Sequence, residues 1–253
     1  MNTHIKIDAK DNEILNLVAS SFVTAKEIAD RLFMSESTVR RRLAGLEEAG
    51  WVIRTHGGAV LNKNQQPGKN LPLYLRTMQL GEEKHLLASK AVSLINDGDT
   101  LFVDGSSTVL FLLPLLHRFP NVTVFTNSIK AATMLAEMEI ACTFFGGDVI
   151  SGELACRSEE TFDLIAKTYA DWFFFSCDGL SDDGVLTDHS KHNCYLRLQY
   201  MKQAKRSVLL IDDTKLGKQC SHRLCHLSEV DVAVCNRAFP DALIERAPET
   251  VLK

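Results

Sequence analysis

Hydrophobic positions near the start of the chain repeat at helical spacing and are separated by short polar breaks. Ile14 and Val18 fall one turn apart, which predicts a first helix over residues 8–19. A second helix is expected to begin at Thr24, because Glu27 stands three positions later and the two residues can cap each other's backbone N–H groups. The chain therefore opens with two short amphipathic helices.

The third predicted helix, called the reading helix below, has one apolar face and one polar, partly cationic face that can bind a polyanion. It should begin after Ser35, a residue type that caps helix starts. Val39, Leu43 and Leu46 recur at spacings of four and three, so they define a buried stripe. The other faces carry hydroxyl and guanidinium groups, on Ser37, Thr38, Arg40 and Arg41. Such a helix can enter the major groove of DNA, where arginine binds guanine edges or phosphates.

A β-hairpin is predicted directly after the reading helix. Two short apolar runs surround Gly57 and Gly58, and paired glycines tolerate the positive φ that a tight turn needs. Arg54 and His56 lie near its tip. The order of helix, turn, helix and hairpin is typical of a winged helix-turn-helix. An ordinary small helical domain with a solvated charge run fits less well, because the cap, the turn, the stripe and the hairpin all agree.

The residues expected to contact DNA are the helix caps, the polar positions of the reading helix and the hairpin tip: Thr24, Ser35, Ser37, Thr38, Arg40, Arg41, Arg42, Arg54, His56, Gly57 and Gly58. Residues 37–43, 46–50 and 54–59 together resemble the DNA-binding motif of DeoR-type repressors of bacterial sugar metabolism. The resemblance implies a transcription regulator that binds double-stranded operator DNA. Arg42 departs from the pattern, since the family usually carries aspartate there. It either adds a phosphate contact or changes operator preference, and both remain open.

A polar segment separates this unit from the rest of the chain. Residues 62–71 contain a Pro-Gly pair and predict a linker between a DNA-binding domain at 1–61 and a second domain at 72–253. In the second domain, short apolar runs alternate with helical patterns, which predicts an α/β fold with a doubly wound parallel sheet. One of its predicted helices covers residues 108–117, with Pro114 as a kink or an early stop.

Polar groups follow the predicted strands of the second domain. Ligands of open parallel sheets bind beyond the carboxyl ends of the strands, and a helix start offers free N–H groups to an anion. Each turn by itself is also explained by helix capping, but several in register predict a sugar-phosphate site. Its expected residues are Asp104, Gly105, Ser106, Ser107, Thr108, Asn127, Ser128, Gly146, Gly147, Asp178, Gly179 and Lys215.

The second domain also resembles the effector domain of the DeoR-type family. The matching segments are residues 83–84, 104–108, 126–128, 146–147, 178–179, 184–187 and 213–215. The resemblance implies a fold similar to ribose-5-phosphate isomerase and a phosphorylated sugar as the effector. The loop departs at one position, because the family tends to have glycine where Ser106 stands, while this chain has glycine at 105.

Composition restricts the class of protein further. The net charge of the 253 residues is −4, which by itself argues against binding to nucleic acid. Residues 1–62, however, hold eight Lys or Arg and eight Asp or Glu, so this part of the chain is neutral. Four of those cations lie between Arg40 and Arg54, and a local basic face is enough for phosphate contacts. The start of the chain lacks the apolar core of a signal peptide, and the longest apolar run, residues 109–116, is too short to cross a membrane.

The cysteines indicate a reducing compartment. All seven are scattered and form no Cys-x-x-Cys pair, which fits reduced thiols in a cytoplasmic protein. Two Cys/His groups, at residues 220–226 and 189–194, match no standard zinc spacing. No metal and no cofactor are therefore expected.

Three functions compete at this level. The leading hypothesis is a repressor of a carbohydrate operon that is controlled by a sugar phosphate and assembles as a homo-oligomer, dimer or tetramer. The second is a sugar-phosphate isomerase with Asp104, Asp178 or Asp212 as general base, although an isomerase needs no DNA-reading domain. The third is a purely structural DNA-binding oligomer. A turnover assay separates the first from the second, and a ligand melting screen separates the first from the third.

Overall fold

A computed structural model describes residues 9–18, 22–62, 73–78, 80–150, 153–247 and 251–252. The chain divides into two compact units, Met1–Gln79 and Leu80–Lys253, and each is described by itself. Of the predicted linker, only Asn62 belongs to the described residues, where its side-chain amide donates to Gly50 O across 3.0 Å.

The first unit combines helices with a small antiparallel sheet. Its elements are α1 (Ala9–Val18), β1 (Val23–Thr24), α2 (Ala25–Leu32), α3 (Glu36–Glu48), β2 (Val52–Thr55), β3 (Gly58–Leu61) and α4 (Leu73–Met78). The strands are ordered β1-β3-β2, so the hairpin β2–β3 receives a third short strand. This is the predicted winged helix-turn-helix, with α3 as the reading helix.

Local sequence signals explain the boundaries of these helices. Glu27 N donates to Thr24 Oγ1 across 3.1 Å and Thr24 N donates to Glu27 Oε2 across 2.9 Å, which confirms the predicted capping box. Ser35 Oγ accepts from Thr38 N, which confirms the cap of α3. The stripe of Val39, Leu43 and Leu46 is fully buried against residues of α1, α2 and the sheet.

The second unit is built on a seven-stranded sheet in the order β15-β14-β12-β9-β4-β5-β6, in which every neighbouring pair is parallel. The helices are α5 (Gly81–Ala91), α6 (Ile129–Glu137), α7 (Glu159–Ala166), α8 (Lys191–Gln203) and α9 (Asp241–Arg246). The strands of the large sheet are β4 (Thr100–Val103), β5 (Thr123–Thr126), β6 (Ala141–Phe144), β9 (Ala170–Phe175), β12 (Ala204–Ile211), β14 (Val232–Cys235) and β15 (Val251–Leu252). Two small antiparallel sheets consist of β7 (Val149–Ile150) with β8 (Ala155–Cys156), and of β10 (Gly179–Leu180), β11 (Val185–Asp188) and β13 (His222–His226).

The central strands are covered on both faces, as their continuous apolar runs predict. Residues 173–175 of β9 and 208–211 of β12 are completely buried. The chain adds β5 and β6 on one side of β4, and β9, β12 and β14 on the other. The strand order therefore reverses between β4 and β9, which is where open parallel sheets place their ligands.

The prediction of a single helix over residues 108–117 is wrong. The structure has two short 3₁₀ segments instead, Val109–Phe111 and Leu113–Arg118, with Pro114 near the start of the second. Proline has no N–H to donate and its ring crowds the preceding turn, so a continuous α-helix cannot pass through this position. In the part of the chain that the structure describes, no helix is long and apolar enough to cross a membrane.

Candidate DNA interface and effector site

The start of the reading helix carries a cluster of hydroxyl groups. Ser35 Oγ lies 3.0 Å from Ser37 Oγ and 2.8 Å from Thr38 Oγ1. Ser35 and Ser37 are exposed, whereas Thr38 is half-buried. The cluster therefore presents donors and acceptors beside the free N–H groups of the helix N-terminus, a combination suited to base edges and phosphate oxygens.

The exposed arginines differ in how they are held. Arg40 pairs with Glu36 at 2.8 Å, and Arg54 at the hairpin pairs with Glu47 at 3.6 Å. Arg41 is exposed and takes part in no ion pair within the described residues. DNA phosphates would have to replace the carboxylates at Arg40 and Arg54, whereas Arg41 can bind without that exchange. The tip residues His56 and Gly57 are exposed, as predicted.

Three residues expected at the DNA interface have structural roles within the DNA-binding unit. Arg42 is partly buried and its Nη1 lies 2.7 Å from Asp11 Oδ1, because its position on α3 borders the buried stripe and faces α1. The side chain of Thr24 is occupied by its capping box. Gly58 is buried, and a Cβ there would lie only 2.2 Å from Val23 O. Gly57 alone, with φ of 86°, supplies the positive φ of the turn.

In the second unit, the predicted effector residues lie along one edge of the sheet. Asp104 follows β4, Asn127 follows β5, Gly146 follows β6 and Asp178 follows β9. Lys215 belongs to the short 3₁₀ turn after β12. Because all these strands are parallel, their carboxyl ends meet at the same edge, as the sequence predicted.

A buried arginine at this edge was missed by the sequence analysis. Arg197 on α8 donates from Nε to Asp104 Oδ2 across 2.8 Å and from Nη1 to Asp188 Oδ2. Burial opposes its charge, but Asp188 and Asp104 outweigh that effect and raise the pKa of Arg197. The only sequence signal was an arginine on a helix whose other inward positions are apolar. Arg197 thereby joins the end of β4 to the end of β11.

A second charged group lies at the end of β12. Lys215 Nζ is 3.4 Å from Asp212 Oδ2 and 3.1 Å from Ser176 Oγ, and its side chain is 13 % exposed. Burial alone would raise the pKa of Asp212, but Lys215, the Thr214 hydroxyl and Lys84 together lower it. Lys84, on α5, is 4 % exposed. Sequence reasoning found Lys84 only as part of the family resemblance and did not place it in the site.

The loop after β4 differs from a simple anion-binding helix start. Asp104 Oδ1 accepts the Ser106 N–H across 2.9 Å, and Ser106 Oγ accepts the Val109 N–H across 3.4 Å. The segment that follows is 3₁₀ rather than α-helical, and the backbone N–H groups of Ser107 and Thr108 at its start have no acceptor among the described residues. Thr108 is 1 % exposed, and its hydroxyl has no hydrogen-bond partner among the described residues.

Two further residues predicted for the effector site, Asn127 and Ser128, stabilise the turns at the carboxyl edge of the sheet. Asn127 Nδ2 donates to Cys156 O across 2.7 Å, and Tyr200 OH donates to Asn127 Oδ1 across 3.3 Å. Ser128 Oγ caps α6. Each of these contacts fixes one turn of the edge, and a direct role in ligand binding is not required to explain them.

The glycines of the edge are explained by close approaches. Gly147 has φ of 139°, and a Cβ there would lie 2.5 Å from Ser158 Oγ. A Cβ at Gly179 would lie 2.5 Å from Lys218 O. Asp178 Oδ2 accepts the backbone N–H of His189 across 3.2 Å, which leaves its other carboxylate oxygen for further contacts.

The Cys/His groups form no obvious metal centre. Cys220 Sγ lies 3.6 Å from His189 Nε2. Over the described ranges, no group of three or more His, Cys, Asp or Glu side chains is arranged to hold a metal ion. Burial raises the pKa of Cys177 to about 12 and that of Cys194 to about 11, so both thiols are protonated at neutral pH.

Comparison with known proteins agrees with both halves of this description. Residues 11–65 match the profile of a DeoR-like helix-turn-helix domain, and residues 80–237 match the DeoR C-terminal sensor domain. The lactose phosphotransferase system repressor of Staphylococcus epidermidis is 31 % identical, over 92 % of each chain. The glycerol-3-phosphate regulon repressor of Escherichia coli is 26 % identical, over 95 % of each chain.

These relatives are named as transcription regulators, not as enzymes, which decides between the first two hypotheses from the sequence. Among solved structures, ribose 5-phosphate isomerase A of Methanocaldococcus jannaschii aligns with 54 % of each chain at 18 % identity and a TM-score of 0.41. A similarity at this level carries no argument about function.

Proposed function

The chain belongs to the DeoR family of DNA-binding transcription regulators, and we propose that it represses a carbohydrate operon and is controlled by a phosphorylated sugar bound at the carboxyl edge of the sheet. The observation that carries the proposal is the pair of largely buried lysines, Lys84 and Lys215, whose charges both act on Asp212. One relative is named for a glycerol-3-phosphate regulon and the other for a lactose phosphotransferase system, which favours a phosphorylated effector.

The charges of the edge are unevenly distributed, and this suggests how the ligand is oriented. Lys84 and Lys215 both act electrostatically on Asp212 at the end of β12, so an anionic group is expected to be attracted to this end. One arginine lies between Asp104 and Asp188 at the end of β4, so that end carries one excess negative charge. A phosphate is expected at Lys84 and Lys215, and sugar hydroxyls are expected toward Asp104.

Thr108 supports the same placement. Its buried hydroxyl has no partner among the described residues, and a buried polar group without a hydrogen bond is destabilising. A ligand oxygen would satisfy it. Asp178, which has one carboxylate oxygen bonded to His189 N, is the further candidate for a sugar hydroxyl.

Repression requires more than one copy of the chain. A single reading helix covers few base pairs, so specific binding needs two or more copies on symmetrically related or repeated half-sites. We propose that the second unit forms the dimer or tetramer, because the first unit presents its polar faces to DNA. We propose a cytoplasmic location, because a bacterial operator lies in the cytoplasm. Light scattering at micromolar concentration tests the assembly, and a monomer with and without operator DNA would refute it.

The effector controls DNA binding only if it prefers one of two arrangements of the protein. A coupling free energy of about 1–3 kcal/mol corresponds to a change of roughly 5- to 150-fold in operator affinity. In a repressor that is released by its effector, the sugar phosphate weakens DNA binding by this factor. If the sugar phosphate instead strengthens DNA binding, the second unit is still a sensor, but the effector promotes binding to the operator.

Two lysines of β12 and its following turn make a matched pair for the test. Lys215 follows the carboxyl end of the strand, whereas Lys205 lies near its amino end and pairs with Asp171. Lys215→Met should weaken binding of the active sugar phosphate by about 10- to 100-fold, since one charge-assisted hydrogen bond is lost. Lys205→Met should leave it unchanged.

The ligand is found by a thermal-shift screen of pentose and hexose phosphates against the wild-type chain, and its affinity for each variant is then measured by calorimetry. An equal loss of affinity in both variants would mean that the phosphate binds elsewhere. If no phosphorylated sugar shifts the melting temperature at millimolar concentration, the sensor proposal is overturned. Turnover of the same compounds would instead favour the isomerase hypothesis.

A further inference from the structure

One aromatic residue in the DNA-binding unit occupies a helix-ending position where glycine is usual, and its N–H donates to Ala29 O. Phe33 ends α2 with φ of 54° and ψ of 47°, the left-handed region that favours glycine. A bulky side chain in this region is a conformational outlier. The ring is also 96 % exposed, so burial within the unit does not offset the strain. The helix end itself requires only a residue that tolerates the left-handed region, which glycine does without strain, so the cap does not explain the exposed ring.

The extent of the exposure sets Phe33 apart from other apolar residues. Among the large apolar side chains of the described residues it is the most exposed, ahead of Tyr169 at 75 %. Three other non-glycine residues there have positive φ, and the most exposed large apolar one of them, Leu154, is 43 % exposed. Among the described residues, Phe33 alone therefore combines a left-handed backbone with a ring that is almost entirely in water.

The position of Phe33 links it to the reading helix. It stands two residues before Ser35, which caps α3, and four residues before Ser37. Side chains of a helix lean toward its N-terminus, so the Ser37 hydroxyl lies at the end of α3 that Phe33 precedes in the chain. This is the end of a reading helix that enters the major groove.

We propose that the Phe33 ring contacts the methyl group of a thymine at the edge of each half-site and thereby contributes to operator specificity. Thymine is the base that presents an apolar group in the major groove, and phenylalanine is one of the side chains that read it. Transfer of the exposed ring from water to this contact is favourable. The inference rests on the DNA binding of the family and not on the proposed effector, so either can fail without the other.

The first experiment compares stability with DNA binding. Phe33→Gly removes the strained Cβ and the ring, so its melting temperature should rise while its affinity for operator falls about fivefold per half-site. Leu154→Gly, in the second unit, is the matched control at another positive φ: it should gain stability and bind operator like the wild type. Unchanged operator affinity of Phe33→Gly would overturn the proposal.

The second experiment tests the thymine methyl directly. The operator is selected from random DNA with the wild-type chain, and a duplex is made with deoxyuridine in place of every thymidine of the half-sites. The wild type should lose about fivefold in affinity per half-site, the value of one buried methyl group. Phe33→Ala should bind both duplexes equally and about as weakly as the wild type binds the uridine duplex.

Two results would overturn the inference. Equal binding of both duplexes by the wild type would exclude the methyl contact. A change in oligomeric state of Phe33→Ala by light scattering, with the uridine effect retained, would show that the ring contacts another copy of the chain.

Discussion

Arg197 binds Asp104 across 2.8 Å, although 93 positions separate them in the sequence. The same guanidinium binds Asp188, so one positive charge joins the central strand β4 to β11 beside the candidate ligand site. All three side chains are buried, with at most 9 % of each exposed. The arrangement pairs two carboxylates with one guanidinium in a position that the solvent hardly reaches.

Removal of this guanidinium should destabilise the second unit severely. Arg197→Met leaves two buried carboxylates without their cationic partner, so the free energy of unfolding should fall by about 3–5 kcal/mol. Arg223→Met, at an exposed position of β13, should change it by less than about 0.5 kcal/mol. Chemical denaturation of both variants measures the difference. A cost below about 1 kcal/mol for Arg197→Met would mean that the two carboxylates do not depend on it.

Two buried threonines at neighbouring strand ends should respond in opposite ways to valine. The Thr108 hydroxyl has no hydrogen-bond partner among the described residues. Thr108→Val should therefore leave the ligand-free protein at least as stable as the wild type and should weaken binding of the effector. Thr126 Oγ1 donates to Val103 O and accepts from Ser128 N, so Thr126→Val should cost about 1–3 kcal/mol. Melting curves with and without the effector compare them. Destabilisation of the free protein by Thr108→Val would indicate that its hydroxyl is already bonded.

The two glycines of the hairpin should differ in their tolerance of alanine. Gly57 has open space around it but a φ of 86°, so Gly57→Ala should cost about 1–2 kcal/mol. At Gly58, the added Cβ would lie 2.2 Å from the backbone oxygen of Val23 and would force β1 away from β3. Gly58→Ala should therefore cost more than Gly57→Ala and should also weaken operator binding. Denaturation and operator titration measure both effects, and the reverse order of stability would contradict the packing role of Gly58.

The ion pair between Glu36 and Arg40 should reduce DNA affinity. Glu36→Gln releases Arg40 and removes a negative charge from the face that approaches phosphates, so operator affinity should rise about two- to fivefold. Glu245→Gln, exposed on α9, changes the net charge equally and serves as the control. The effect should diminish at high salt, because exposed charges are screened. Equal gains in both variants would assign the change to net charge alone.

The amino end of the large sheet should show acid-sensitive stability. Asp171 accepts from Lys205 Nζ and from the N–H and hydroxyl of Thr100, and these contacts lower its pKa to about 2. An unfolded chain has a pKa near about 3.9 for aspartate, so the stabilisation is complete above about pH 4 and disappears as the pH falls toward about 2.

Asp171→Asn tests this pH dependence. Because the carboxylate is partly exposed, the variant should lose only about 1 kcal/mol at pH 7. Its melting temperature should converge with that of the wild type as the pH decreases from about 4. A difference that is constant from pH 7 to the acid range would show that the charge of Asp171 does not matter.

Much of the DNA-binding unit follows from the sequence alone. The capping box of Thr24 and Glu27 and the stripe of Val39, Leu43 and Leu46 are confirmed, because each depends on residues within one or two helical turns. Arg42 was expected at the DNA interface as a departure from the family motif, whereas its ion-pair partner Asp11 lies 31 positions away. A helical spacing indicates that a residue borders the buried stripe, but not which residue meets it there.

In the second unit, the sequence by itself determined that a parallel sheet forms and that its carboxyl edge is polar, because apolar runs and turn residues act over a few positions. The tertiary structure decided which charges are paired. Asp104, expected to hold a sugar hydroxyl, is bound by Arg197, and Lys215 shares Asp212 with Lys84 from α5. Such pairs depend on strand order and helix placement, which bring distant segments together. No local spacing encodes them, so the partners become visible only in the folded chain.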